Sequence, residues 1–297
     1  MSEAQKSLRR RVIQFFHDAY KVHRDSNIVF VCGGNSATDM RVRFRAYAEI
    51  AIPEYDIFQP EFAMENLFSN NFPEPFDIAD FESLVGSLSR GIVIFPEAAG
   101  SYAETGYFSA KEELCKKILL VLDSSRQKDD SFISLGPAKK IGQHSIFHPV
   151  IQIDYKTPNF EVITERLKRI KLKNTLKMLK WNELSDLSDF EWLCLTHEIV
   201  NFLTIATIDD IKFIFNAMSG AHLSLSKLHQ VASILVGSKH LLEYGDFGHL
   251  RVNPSKQPLL ELSDGKVSER HELRLELANL YQDEGWEFKA LVDGLPC

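Results

Sequence analysis

Five short apolar runs, separated by stretches of helical periodicity, fill the first half of the chain. Several are apolar at every position, which is typical of strands covered by helices on both faces of a parallel sheet. This alternation predicts a doubly wound α/β domain with a five-stranded, mostly parallel sheet. The predicted strands are Ile28–Cys32, Tyr55–Phe58, Gly91–Phe95, Ile118–Leu122 and Val150–Ile153, and the predicted helices are Met40–Ile50, Phe62–Ser69, Asp77–Ser89 and Tyr102–Lys116.

A basic segment, Glu165–Lys180, follows this alternating region. Its leucines at positions 172, 176 and 179 have helical spacing, so the sequence predicts a connecting helix with a basic face. Such a face is either simply solvated or a contact for a polyanion, since clustered Lys and Arg neutralise phosphates. We therefore expect an α/β domain over residues 1–160, which includes an amphipathic N-terminal surface helix, and a basic connection over 161–187.

The remainder, 188–297, is predicted to be rich in helices. Three helices, Phe190–Ile205, Asp209–Met218 and Leu225–Val236, precede two short strand-like pieces around Gly245 and Gly248. This is the element order of a winged helix-turn-helix, in which Ser224–Ser238 would be the recognition helix with Lys227, Gln230 and Ser233 on its exposed side. The candidate nucleic-acid contacts in the two basic regions are Arg166, Lys168, Arg169, Lys171, Lys173, Lys227, Gln230 and Lys239.

Composition narrows the classes of function. A net charge of −7 over 297 residues argues against a general nucleic-acid binder, so any such contact must be local. No apolar run approaches the roughly 20 residues that cross a bilayer, and no signal peptide is evident. The four cysteines, Cys32, Cys115, Cys194 and Cys297, are far apart, which suggests buried thiols in the cytoplasm. No metal-ligand spacing is present, so no metal site is expected.

The stretch Ile92–Ala110 carries the first candidate site. A strand ends at Phe95, a loop of small residues around Gly100 follows, and a helix is predicted to open with Glu104 in its first turn. A carboxylate at the carboxyl edge of a parallel sheet can serve as a nucleophile or base. Ser101-x-x-Glu104 is also a capping box, in which Glu104 would only bind an amide at the helix start. Spacing alone favours the cap.

A second motif, Cys32-Gly33-Gly34-Asn35, follows the first predicted strand and leads into a helix beginning near Met40. Paired glycines let a sugar or phosphate approach the backbone closely, or they simply form a tight turn. The motif is neither a dinucleotide-binding G-x-G-x-x-G nor a P-loop. It therefore does not support a dehydrogenase or a P-loop nucleotidase.

Together, Val29–Gly34 and Phe95–Ser109 resemble motifs of retron effectors that carry a nucleoside deoxyribosyltransferase-like domain followed by a winged helix. The resemblance implies an N-glycosidase with Glu104 as the nucleophile at C1′ and Glu97 holding the sugar, although the loop departs from the transferase pattern. It implies NAD or a related nucleotide as substrate, with no bound cofactor or metal. The substrate-binding residues that it suggests are Cys32, Gly33, Gly34, Asn35, Met40, Glu97, Gly100 and Ser101.

The same resemblance implies partners. A reverse transcriptase and its branched RNA–DNA product would hold a toxic effector inactive until phage infection, with the basic segment and the winged helix as binding surfaces. A higher-order oligomer is compatible with this picture, and no membrane contact is expected.

Two alternatives stay open at this stage. Pro96–Glu104 distantly resembles the P-G-G-x-G-T-x-x-E motif of phosphoribohydrolases similar to lysine-decarboxylase-like proteins, although the glycines after the proline are absent. The other alternative is a non-enzymatic nucleic-acid-binding regulator whose α/β domain senses a nucleotide.

Overall fold

A computed structural model describes residues 3–23, 26–58, 77–126, 131–170, 175–219, 225–245 and 248–284. The strands are β1 Tyr20–His23, β2 Ile28–Cys32, β3 Asp56–Phe58, β4 Gly91–Ile94, β5 Ile118–Asp123, β6 Ile151–Ile153, β7 Leu176–Met178, β8 Ile205–Ala206, β9 Leu241–Tyr244, β10 His249–Val252 and β11 Leu260–Leu262. The α-helices are α1 Glu3–Asp18, α2 Met40–Ala51, α3 Ile78–Leu88, α4 Ala99–Ala110, α5 Glu112–Cys115, α6 Lys139–His144, α7 Glu161–Arg169, α8 Asp189–Leu203, α9 Ile208–Ser219, α10 Leu225–Gly237 and α11 Val267–Glu284.

The chain forms two compact units. The α/β unit comprises residues 25–174 and 233–238, and the helical unit comprises residues 1–24, 175–232 and 239–297. Helix α1 therefore groups with the helical unit, whereas the predicted α/β domain begins at residue 1. The reason is aromatic packing, because Phe15 and Phe16 are fully buried and lie 6.1 and 5.3 Å from the ring of Phe202 on α8.

The α/β unit contains the predicted five-stranded parallel sheet, in the order β3-β2-β4-β5-β6. Strands β2, β4 and β5 are buried at every position, as their continuous apolar runs predicted. Phe44 and Ile163, from α2 and α7, belong to the core on one face. On the other face, the ring of Phe30 lies 6.0 Å from that of Phe108 on α4. The sheet is thus covered on both faces, as expected of a doubly wound fold.

The order of these strands creates a topological switch point. The chain passes from β2 outward to β3, then returns to β4 on the other side of β2. In open α/β sheets, ligands bind in the crevice at the carboxyl ends of the strands where the order reverses. The crevice expected here lies between the ends of β2 and β4, at Cys32 and Phe95, where the amide of Phe95 donates to the Cys32 carbonyl at 3.0 Å.

Most predicted helices of this unit are confirmed, with two changes. The predicted helix Tyr102–Lys116 begins earlier, at Ala99, and is interrupted at Lys111, whose extended backbone separates α4 from α5. A π-helical turn at Ser134–Ala138 leads into α6. The predicted helix Phe62–Ser69 lies outside the described residues.

The predicted basic helix Glu165–Lys180 is wrong. Helix α7 ends at Arg169, and β7 follows at Leu176–Met178. Strand β7 pairs antiparallel with β1, and β1 pairs antiparallel with β11, which makes a three-stranded sheet that the sequence pattern does not predict. Backbone pairing with a distant strand overrides the helical spacing of the leucines.

The rest of the helical unit contains the predicted helices α8 and α9 and the first part of α10, through Ala232. Strand β8 lies between α8 and α9, and the β9–β10 hairpin follows α10. Strand β10 is central in an antiparallel sheet of order β8-β10-β9. Helix α8 is buried over most of its length, from Glu191 to Leu203.

Candidate functional site

Glu97, in the loop after β4, links the two strand ends at the switch point. Its Oε1 accepts hydrogen bonds from the amides of Gly34 at 2.9 Å and Arg41 at 3.3 Å, and its Oε2 accepts one from the amide of Met40 at 2.8 Å. Met40 and Arg41 open α2, whose N-cap residue Asp39 supplies no side-chain cap. Glu97 therefore takes the place of an N-cap side chain for a helix distant in sequence.

The glycine pair is required by close packing in this turn. A Cβ on Gly33 would lie 2.8 Å from Oε1 of Glu97, and one on Gly34 would lie 2.2 Å from Oδ2 of Asp39. Nε of Arg41 donates to the Gly34 carbonyl at 3.1 Å, and its guanidinium also donates to the Asn35 side chain. In this structure the space that side chains at the two glycines would fill is occupied by the side chains of Glu97, Arg41 and Asp39.

Ser101, which is 1% exposed, caps the start of α4. Its Oγ accepts from the amides of Glu97 and Ala98 at 3.1 and 3.0 Å, and it donates to the Ala98 carbonyl at 2.9 Å. Helix α4 begins at Ala99, so Glu104 lies in the second turn and not in the first. The predicted Ser101-x-x-Glu104 capping box is therefore wrong, because the serine performs the capping within its own turn.

Glu104 lies beside the carboxyl end of β2. Its carboxylate contacts the fully buried thiol of Cys32, and its Oε2 atom is itself buried. Burial, and then the nearby carboxylates of Glu104 and Glu82, raise the pKa of Cys32 well above its usual range. The thiol is thus protonated at neutral pH and is not a nucleophile. A carboxylate such as that of Glu104 is chemically able to act as a nucleophile.

Gly100 does not share the packing of Gly33 and Gly34. A Cβ on Gly100 would have no atom within 4 Å, so the protein itself does not require glycine there. The structure brings together most of the predicted substrate-binding set at the switch point: Cys32, Gly33, Gly34, Asn35, Met40, Glu97 and Ser101.

Two further polar residues lie at the same sheet edge and were not predicted. Asp123 ends β5, and Tyr155 follows β6 with its hydroxyl donating to the Val121 carbonyl at 2.7 Å. Burial first, and then the carboxylates of Glu97 and Asp123, raise the pKa of Tyr155. The position of Asp123 at the end of an apolar strand was a signal that could have identified it, since carboxyl ends of parallel strands share one edge.

The predicted nucleic-acid contacts of the α/β unit differ in their exposure and in their hydrogen bonds. Nη1 of Arg166 donates to the carbonyls of Phe147 and His148 at 2.8 and 2.5 Å, so this arginine fastens a loop. Lys168 is exposed and donates to the Ala51 carbonyl at 3.1 Å, and Arg169 is exposed. Lys171 and Lys173 lie outside the described residues. A groove lined by Gln152, Asn159 and Arg166 runs beside edge strand β6, apart from the glutamates.

In the helical unit, Lys227 lies 3.2 Å from Oδ1 of Asp189 and 4.9 Å from the centre of the Trp192 ring. Gln230 is half-buried and Lys239 is exposed. Ser233, predicted on the exposed side of α10, is 8% exposed and belongs to the buried side, which corrects that expectation. Lys177, in the basic segment, pairs with Glu191 at 2.7 Å.

Among the described residues, no group of three or more His, Cys, Asp or Glu side chains is placed to hold a metal ion. The thiols of Cys32, Cys115 and Cys194 are free and buried, as predicted, and Cys297 is not among the described residues. Within the described parts of the chain, no helix combines the length and the apolar character needed to span a bilayer.

Comparison with known proteins identifies the family. The "Retron Ec86 putative ribosyltransferase/DNA-binding protein" of Escherichia coli is 30% identical over 121 residues, which is 39% of this chain and 39% of that protein. The corresponding Retron Ec73 protein, also from Escherichia coli, is 27% identical over 137 residues, 44% of this chain and 43% of that protein. The chain thus spans less than half of the length of these relatives. The family model described as "STM3845 retron effector protein" matches residues 37–243, well over half of the chain. This chain belongs to the STM3845 retron effector family.

Proposed function

We propose that this retron effector is an N-glycosidase whose nucleophile is Glu104. The observation that carries the proposal is the position of Glu104 beside Cys32, at the end of β2 and hence at the topological switch point. Ser101 accepts from the amides of Glu97 and Ala98 just before α4, and Glu104 lies in the second turn of that helix, so Glu104 is not the capping residue that its spacing suggested. Names of the relatives that include "ribosyltransferase" support chemistry at a sugar C1′.

The reaction proceeds in two steps. The Glu104 carboxylate attacks C1′ of the ribose, the C1′–N bond breaks, and the base leaves with the bonding electron pair, which produces a glycosyl ester on Glu104. Water then attacks C1′, loses a proton to a base, and releases the sugar with regeneration of the carboxylate. The transition states resemble an oxocarbenium ion, which nearby carboxylates stabilise.

NAD or a related nucleotide is the proposed substrate. Nicotinamide in NAD is cationic while attached to the ribose and departs as a neutral base, so its departure needs no general acid. No bound cofactor enters these steps. The chemistry thus requires one well-placed carboxylate, which matches a site centred on Glu104.

Glu97 is proposed to organise the part of the site that binds the sugar. Its carboxylate holds the Gly33–Gly34 turn against the start of α2, through the amides of Gly34 and Met40. The turn, together with Asn35, Gly100 and Ser101, then forms the wall that the sugar approaches. Loss of this carboxylate would disorganise the wall and not only remove a contact to a hydroxyl group.

The helical unit is proposed to be a winged-helix domain that binds the retron reverse transcriptase and its branched RNA–DNA product. The order α8-β8-α9-α10-β9-β10, with β10 central in an antiparallel sheet, supports this assignment. The words "DNA-binding" in the names of the relatives support a polyanionic partner. Arg169 and Lys239, which are exposed, are the proposed contacts to test first in the two basic regions. Binding would hold the toxin inactive in the cytoplasm until phage infection.

The proposal is tested by metabolite profiling of cells that express the chain without its partners. Wild type is expected to deplete NAD or another nucleotide and to stop growth, whereas Glu104→Gln is expected to do neither. Glu113→Gln is the matched control, since it removes one exposed carboxylate from the neighbouring helix α5. Growth arrest by Glu104→Gln equal to that by wild type, at equal protein levels, would overturn the proposal.

The same profiles separate the alternatives. Accumulation of ribose 5-phosphate would indicate a phosphoribohydrolase acting on nucleoside monophosphates. An unchanged nucleotide pool, combined with tight and salt-dependent binding to duplex DNA without any retron product, would indicate a non-enzymatic regulator.

A further inference from the structure

We propose that Arg126 binds the phosphate of the substrate and thereby selects nucleotides over nucleosides. This inference rests on the proposed glycosidase function and adds to it a residue that determines specificity. Arg126 lies in the turn after β5, the strand adjacent to β4 in the sheet. It therefore lies at the same carboxyl edge as Glu97, which follows β4.

The turn that carries Arg126 is fixed by several hydrogen bonds. Oδ1 of Asp123 accepts from the amide and the hydroxyl of Ser125 at 3.0 and 2.8 Å. The amide of Arg126 donates to the Asp123 carbonyl at 3.1 Å, and the amide of Ser124 donates to the Ile153 carbonyl of β6 at 2.9 Å. A charged side chain on such a turn loses little backbone freedom when a ligand binds.

The guanidinium of Arg126 is well placed to meet an anion. The side chain is 73% exposed, and its Nε lies 3.4 Å from Oδ2 of Asp123, which keeps the group beside the strand end. Arginine presents several N–H donors in a planar fork that matches the oxygens of a phosphate. The pair with Asp123 thus orients the fork while most of the side chain stays open to solvent.

Tyr155 lies near both Arg126 and the loop that carries Glu97. Its ring lies 6.2 Å from that of Phe95, the residue that directly follows β4 in the loop of Glu97. The charges of Glu97, Asp123 and Arg126 all act on its phenol, those of the carboxylates raising its pKa and that of the arginine lowering it. The phenol of Tyr155 therefore lies within electrostatic range of both the loop after β4, which carries Glu97, and the turn after β5, which carries Arg126.

A phosphate at this edge needs a cation. Glu97, Glu104 and Asp123 place three carboxylates around the ends of β2, β4 and β5, and they would repel a phosphate. Arg41 is engaged by the Gly34 carbonyl and Asn35, and Arg43 donates to the Tyr155 carbonyl at 2.8 Å. Arg126, more exposed and held by a single carboxylate in the described structure, is the guanidinium suited to a ligand.

The test compares binding of ADP-ribose, which carries phosphates, with that of adenosine, which carries none, by calorimetry on the full chain. Arg126→Gln is expected to weaken ADP-ribose binding by about tenfold or more, as for the loss of a charge-assisted hydrogen bond, and to leave adenosine binding unchanged. Lys116→Gln is the control, because Lys116 is an exposed cation just before the amino end of β5. It is expected to change neither affinity.

Equal affinities of wild type and Arg126→Gln for ADP-ribose would overturn the inference, as would wild-type affinity for adenosine equal to that for ADP-ribose. Base release from NAD, measured on the same samples, distinguishes this failure from that of the proposed function. Release that is independent of Arg126 at low NAD leaves the glycosidase intact and removes the phosphate role. Arg126-dependent binding without any base release retains the phosphate site and removes the glycosidase.

Discussion

The amide of Gly34 donates a 2.9 Å hydrogen bond to Oε1 of Glu97, and this bond joins the turn after β2 to the loop after β4. The same carboxylate accepts from the amides at the start of α2. One glutamate thus holds both walls of the crevice at the switch point. Glu104, from α4, contacts the β2 end of this crevice through Cys32.

Replacement of Glu97 by glutamine is expected to destabilise the α/β unit. The glutamine side chain has one acceptor oxygen where glutamate has two, so it cannot accept from all three backbone N–H groups. At least one partly buried backbone N–H therefore loses its acceptor, at a cost of about 1–3 kcal/mol. Urea denaturation followed by circular dichroism measures this loss. Glu165→Gln, which alters an exposed glutamate of α7, is expected to change the free energy of unfolding by much less.

Ser101→Ala is expected to lower stability by about 0.5–2 kcal/mol, since the serine caps α4 and binds the amides of Glu97 and Ala98. Glu104→Gln is expected to cost less than Ser101→Ala, because Glu104 lies in the second turn of α4, beyond the capping positions, and glutamine keeps its size. Thermal denaturation of the two variants gives the comparison. A larger loss for Glu104→Gln would favour a structural role for that carboxylate.

In the helical unit, Glu198→Gln is expected to be strongly destabilising. The Glu198 side chain is 2% exposed and accepts from Tyr20 Oη at 2.8 Å, Arg270 Nη2 at 2.9 Å and Asn201 Nδ2 at 2.8 Å. Removal of its charge leaves the partly buried guanidinium of Arg270, which is 18% exposed, without its counter-charge, which costs up to about 3 kcal/mol. Chemical denaturation of this variant is compared with that of Glu272→Gln, an exposed glutamate of α11.

His197 makes stability depend on pH. The side chain is buried, neither ring nitrogen has a hydrogen-bond partner among the described residues, and burial, with a smaller effect of His240, lowers its pKa from 6.5 to about 3. Between pH 6.5 and 3 the unfolded chain therefore binds a proton that the native state does not. This group is expected to lower stability as pH falls through that window, by up to about 1.4 kcal/mol per pH unit.

The measurement is the free energy of unfolding from pH 7.5 to 4.5 for wild type and His197→Leu. The variant is expected to show a shallower decline on acidification, whereas His271→Gln, on the exposed surface of α11, is expected to follow wild type. Parallel profiles for wild type and His197→Leu would show that His197 does not titrate in this way.

The parallel sheet was predictable because its signal is local. Strands such as Ile28–Cys32 and Ile118–Asp123 are continuous apolar runs, and burial on both faces requires such runs. Strands β1, β7 and β11 were missed because each has only three or four residues and pairs with segments far away in sequence. The leucine spacing near Leu176 therefore indicated a helix where pairing with β1 produces a strand.

The candidate site was predictable in its residue types and not in its contacts. The motifs placed Gly33, Gly34, Glu97 and Glu104 at strand ends, and the strand order brings those ends together. Sequence spacing could not show that Ser101 caps α4 or that the Glu97 carboxylate binds the start of α2, since both depend on exact backbone paths in two loops. Arg126 belongs to no sequence motif, and only its pairing with Asp123 in the structure identifies it as a candidate.

The most direct test of the central claim is base release from NAD by the purified chain, with mass spectrometry of the peptide that contains Glu104. Wild type is expected to release nicotinamide and to carry a transient ADP-ribosyl ester on Glu104 after an acid quench. Glu104→Gln is expected to stay folded and to release no nicotinamide. Undiminished release by folded Glu104→Gln would contradict the account.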